Sequence, residues 1–225
     1  MSEFTSGLLF LSRAISQVKP LLPSNPDSYF LEPLNDKWTG LYLADAWLQQ
    51  PATLQLVLDI SQHVPLLYFQ NAEDHGWGYR VFCEGREVAS FYNNYMLERE
   101  IKLWMPIAKK RFAQDDESEI QFILFGSDTW DLQEIFFAEV RQTDEYRHLF
   151  EQQFRNTHTH TFALFEIAPE AITRIDRLLS MESFHTEAWT TVDVEQFKEA
   201  VGIMEMEWKG YRYARKRRRV QPLTA

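Results

Sequence analysis

The amino-acid sequence predicts an α+β protein. A small, mostly antiparallel sheet centred on residues 66–92 is flanked by helices and followed by a helix-rich C-terminal half. Three observations predict this. From Trp77 the chain alternates, with Trp77, Tyr79, Val81 and Cys83 on one face and Gly78, Arg80 and Phe82 on the other, the period-two pattern of a strand. Glu84-Gly85 follows as a tight turn, and residues 88–92 return as the partner strand. Beyond residue 128, apolar residues recur at three- and four-residue spacing behind residues that cap helices.

In chain order, Leu8, Leu11, Ile15 and Val18 stand at helical spacing and Pro20 closes the run, so residues 7–19 are expected to form an amphipathic helix. Residues 21–33 hold three prolines and form a connection, with a short extended piece at 29–31. Residues 38–43 read as a short edge strand or as a turn into a helix-like stretch at 42–49. Pro51 suits the first turn of a helix over 50–64, with Leu54, Val57, Leu58 and Ser61 on one face. Residues 66–69, apolar after Pro65, are the first strand of the central sheet. A two-residue Glu84-Gly85 loop pairs Val81 with Val88 and Tyr79 with Ser90; a shift of one residue swaps the faces.

Residues 96–112 are expected to be helical, with Pro106 as a kink or break. Residues 120–125 are an apolar strand. A helix opens near Thr129 behind Asp128, and Thr143-Asp144 divides it from a second one. Residues 157–167 alternate polar and apolar and read as a strand. Pro169 opens another helix, residues 183–191 form a loop containing His185 and Trp189, and a last helix carries Phe197, Val201, Met204 and Trp208. The organisation expected is one globular unit over 1–208, with two lobes meeting near 114–118, and a basic tail over 209–225.

The 225 residues include 7 Trp, 9 Tyr and 17 Phe, ample material for a core, which excludes the disordered class. One cysteine, Cys83, forms no internal disulfide; a reducing, cytoplasmic setting is expected. Residues 7–11 are broken by Ser12 and Arg13 without a basic region before them, so no secretory signal is expected. No stretch reaches the roughly 18 apolar residues of a membrane span, and no membrane association is expected.

Net charge is −10, unevenly spread. Seven of the 23 basic residues lie between Lys209 and Arg219; setting them aside leaves 16 against 33 acidic residues. An acidic body of this kind disfavours a broad nucleic-acid surface, which needs clustered positive charge.

The motifs of common nucleophilic, nucleotide-binding and zinc enzymes (G-x-S-x-G, the Walker loop, G-x-G-x-x-G, H-E-x-x-H) do not occur. Three groups of residues remain as candidates. Glu73, Asp74 and His75, with Trp77 and Tyr79 beside them, form a polar loop on a rigid sheet, where binding groups tend to sit; the plain alternative is an ordinary turn over core aromatics. His158 and His160 share a face of the expected strand. They could hold one metal ion if a third ligand came from Glu73, Asp74 or His75; otherwise they are two solvent-facing histidines. No other cofactor is expected. Arg212, Arg215, Lys216, Arg217, Arg218 and Arg219, interleaved with Tyr211 and Tyr213, could contact nucleic acid, dock on the acidic body, or end a helix where the macrodipole favours cations. The leading expectation is a cytosolic, non-catalytic binding or protein-interaction domain that masks a basic protein. The alternatives are a metal-assisted hydrolase built on the His/acid cluster and nucleic-acid binding through the tail.

Overall fold

A computed structural model describes residues 4–25, 27–72, 74–112, 118, 120, 124, 130–180 and 191–220, with backbone alone at 130–132, 191–192 and 218–220. The chain divides into two compact units, one formed by Met1–Asn93 with Asn156–Ala225 and the other by Asn94–Arg155.

The first unit is built on a six-stranded antiparallel sheet with flanking helices. Its strands are β1 (Phe4–Leu11), β2 (Tyr29–Pro33), β3 (Trp38–Leu43), β4 (Leu66–Ala72), β5 (Gly76–Cys83) and β6 (Arg86–Asn94), in spatial order β2-β3-β1-β4-β5-β6. The start of the chain departs from the expected helix. β1 lies between β3 and β4, pairing Leu8 with Leu41 and with Tyr68. A central strand is buried on both faces and reads as a continuous apolar run, which Gly7-Leu-Leu-Phe-Leu11 is. Its apparent helical spacing is what a short run of leucines produces by chance. Only Ile15–Val18 (α1), after a 3-10 turn, is α-helical here. β3, expected at an edge, is interior and buried along its whole length. The β2 edge ends on Pro33, a residue that suits a strand edge because it donates no ladder hydrogen bond.

One face of the sheet, with Leu8, Phe10, Leu41, Leu43, Leu66, Tyr68 and Phe82, packs under α1 and α2 (Pro51–Ser61). On the opposite face Phe69, Trp77, Tyr79 and Phe91 meet Phe162 and Phe197 in one aromatic cluster. Phe197 alone touches the rings of Phe69, Trp77, Tyr79 and Phe162. Cutting such a fully buried ring back to alanine costs about 3–5 kcal/mol.

The segment expected as a strand over 157–167 is instead a 3-10 helix, Thr159–Phe165, bounded by left-handed His158 (φ 34°) and Glu166 (φ 56°). Its buried residues Thr159, Phe162 and Phe165 recur every three positions, the period of a 3-10 helix; the polar-apolar alternation misleads because Thr161 is buried too. α6 (Pro169–Leu178) and α7 (Thr191–Val201) follow. α7 stops at Gly202 (φ 78°), whose amide, with that of Ile203, bonds back to the Lys198 carbonyl. Met204 and Trp208 therefore lie beyond the helix. Residues 181–190, including His185 and Trp189, lie outside the described residues, as does Glu73. The tail folds as α8 (Tyr211–Val220).

The second unit contains α3 (Ile101–Arg111), with Pro106 inside it, α4 (Trp130–Arg141) and α5 (Asp144–Gln152). Leu97, Leu103, Trp104, Phe136, Phe137 and Val140 are among its core. Thr143 separates α4 from α5 and accepts the Tyr146 amide with its side chain, the capping expected of the Thr-Asp pair. Ile120 and Leu124, in the stretch expected as a strand, are helical.

Candidate functional site

The β5–β6 hairpin turns through Glu84 (φ 54°) and Gly85 (φ 73°), the two left-handed positions of a type I′ turn. Such a turn would set Ser90 on the face of Tyr79. The rings instead place Phe91 there, 6.0 Å from Tyr79 and 5.2 Å from Trp77. β6 therefore takes up one extra residue after the turn, the irregularity of a bulge. β6 is an edge strand, and its Ser90 amide donates to the Asn156 carbonyl. Beneath this contact the Tyr79 hydroxyl donates to the Thr157 carbonyl at 2.6 Å. Together these bonds lay the 3-10 segment against the hairpin end.

An open groove of about 680 Å³ results, with Cys83, Arg86 and Val88 on the hairpin side and His158, His160 and Leu164 on the other. The two imidazole centroids are 5.9 Å apart. Arg86 has only a loose 3.6 Å pairing with Glu84, both side chains being largely exposed. Glu87 is committed elsewhere: its Oε2 takes both Nε and a terminal nitrogen of Arg80, at 2.7 and 2.6 Å. Thr161 also lines the groove, and its buried hydroxyl has no partner among the described residues. Burial, and then the Glu84 carboxylate, raise the Cys83 pKa, so the thiol is held in its neutral, weakly nucleophilic form.

The loop singled out with the sheet lies elsewhere. Asp74 and His75 sit at the Gly76 end of β5, where their side chains pair at 2.7 Å and His75 stands beside Phe4. The groove is at the Cys83 end. Seven strand steps of roughly 3.3 Å separate them, about 23 Å. His158 and His160 are thus brought together with each other but not with Asp74 and His75. Among the described residues no group of three His, Cys, Asp or Glu side chains is placed to hold a metal ion. Trp77 and Tyr79 point into the aromatic core, with 0% and 1% of their surface exposed. Burial raises the Tyr79 phenol pKa far above its ordinary value.

The basic segment is docked on its own unit. Tyr211 packs on Phe30 and donates to the Asp27 carbonyl, Ala214 is buried, and Glu32 receives Arg217 at 3.0 Å and Lys209 at 3.9 Å. Arg212, Arg215 and Lys216 are exposed and form no ion pair among the described residues. The side chains of Arg218 and Arg219 lie outside the described residues. The groove residues Arg86, Thr161 and Leu164 carry no signal in the sequence, because what joins them is a contact between strand edge and 3-10 segment 66 positions apart.

Comparison with known proteins finds no matching family model, no matching curated protein and no matching solved structure. Among the described residues no helix is long and apolar enough to cross a membrane.

Proposed function

We propose that this chain is a non-catalytic protein-interaction domain that binds and masks a basic partner. The observation that supports it most is at Glu32, where one carboxylate receives both Arg217 and Lys209 of the chain's own basic segment. The acidic body thus already accommodates a cationic helix. The acidic excess of the rest of the chain would draw a second basic surface by the same long-range attraction. The hydrolase reading needs His158, His160 and the Glu73-Asp74-His75 loop in one centre; Asp74 and His75 lie at the other end of β5 from the two histidines, and Glu73 lies outside the described residues.

The test is affinity capture of the untagged chain's partners at about 50 mM and about 300 mM salt, where screening shortens the reach of surface charge. Recovery of a basic protein in a stoichiometric complex that weakens at the higher salt supports the proposal. Only salt-insensitive partners, or none, would count against it.

A second reading has one observation in its favour. Arg212, Arg215 and Lys216 stand at i, i+3 and i+4 on the exposed side of α8, a spacing that groups them on one face for nucleic-acid phosphates. Reversing these three charges should abolish any RNA or DNA binding; binding that survives reversal removes the reading.

A further inference from the structure

The groove between the β5–β6 turn and the 3-10 helix lies apart from Glu32 and α8, and its chemistry is different. The chain carries a net charge of −10, and each of the two carboxylates lining the groove has a cationic neighbour. Glu87 is neutralised by Arg80, and Glu84 is balanced by Arg86 across 3.6 Å. Facing them are the two exposed imidazoles of His158 and His160. Val88, Ala163 and Leu164 supply an apolar wall, and Leu164 is 40% exposed for a large aliphatic side chain.

We propose that this groove is a binding site for a phosphate monoester, with Arg86, His158 and His160 on the phosphate and Leu164 and Val88 against its organic part. The donor count favours phosphate over carboxylate. A guanidinium presents five N–H groups, and each imidazole presents at least one. A carboxylate offers two oxygens to these donors, a phosphate monoester three terminal ones. The guanidinium fork also matches phosphate geometry bidentately. Glu84 is the built-in competitor: it pairs loosely with Arg86 at 3.6 Å, and the ligand must displace it.

Phenyl phosphate, added to the 225-residue chain while the ring signals of the histidines are followed by NMR, tests this directly. Saturable shifts at His158 and His160 are expected, with benzoate at equal ionic strength binding more weakly. Arg86→Gln should weaken phenyl phosphate by about tenfold or more, the loss expected for one charge-assisted contact. Glu84→Gln should strengthen it, because the competing carboxylate is gone. Both side chains are more than 70% exposed, so neither variant threatens the fold, which circular dichroism checks. Shifts that do not saturate, that benzoate matches, or that Arg86→Gln leaves unchanged would overturn the proposal. So would equal or weaker binding by Glu84→Gln. The site is independent of the basic-partner reading, and either can fail alone.

Discussion

The Tyr79 hydroxyl and the Thr157 carbonyl, 78 positions apart in the chain, are joined by a hydrogen bond of 2.6 Å. That bond anchors the residue before His158 to β5, the strand beside the β6 edge. Tyr79→Phe leaves the Thr157 carbonyl without this donor, and a cost of about 1–2 kcal/mol is expected. Urea unfolding measures it. The ring stays in the aromatic cluster, so the same variant should keep its near-ultraviolet circular dichroism while hydrogen exchange quickens in the 156–160 segment.

Gly40 makes room for the Tyr42 ring. A Cβ at position 40 would stand 2.5 Å from the Tyr42 hydroxyl oxygen, and one at Gly7 would stand 2.7 Å from the ring edge. Gly40→Ala should cost about 1–3 kcal/mol through overpacking. Tyr42→Phe removes the nearest atom, so the double variant should lose less than the sum of the two single ones. A double-mutant cycle from denaturant unfolding reads this coupling.

Glu98 in the second unit is buried, has one oxygen without a partner among the described residues, and sits 3.4 Å from Arg141. Burial raises its pKa, against the lowering effect of its own backbone amide and of Arg141. The native state therefore holds the proton more tightly than the unfolded chain. The stabilisation this gives is complete below the unfolded pKa, about 4.3, and is lost as pH rises through the elevated folded value. Glu98→Gln should remove that slope and stabilise the unit at pH 7. Thermal melts of both proteins between pH 4 and pH 8 check it; a parallel pH dependence would contradict it.

Lys198 is 1% exposed, and its ammonium meets Glu195 at 2.7 Å one helical turn away. Glu195 is exposed, so only the ammonium is buried: removing the carboxylate leaves that charge uncompensated, whereas replacing the ammonium by an apolar side chain is often neutral. Glu195→Gln should therefore destabilise the protein more than Lys198→Met. The reverse order, measured by chemical denaturation, would show that the pair contributes little.

How much of this was readable from sequence depends on how local the cause is. The β4–β5–β6 strands were legible because alternation at Trp77, Tyr79 and Val81 and a turn at Glu84-Gly85 act within a few residues. Thr143, Pro51 and Pro169 announced their helix starts for the same reason. β1 is not legible as a strand because its environment, between β3 and β4, is set by partners 27 (Leu11 to Trp38) to 68 (Phe4 to Ala72) positions away. The shift that puts Phe91 rather than Ser90 beside Tyr79 follows from an added residue that neither strand reveals alone. Among the candidate site residues, His158 and His160 do share a locality. The hairpin residues they face, Arg86 above all, could not be foreseen without the Asn156 contact to the β6 edge.

The central claim, masking of a basic partner, is tested most directly by native mass spectrometry of the protein isolated at low salt. A one-to-one complex with a protein of basic isoelectric point, dissociating as ammonium acetate is raised, is expected. A bare chain at every ionic strength, or a complex indifferent to salt, would contradict it.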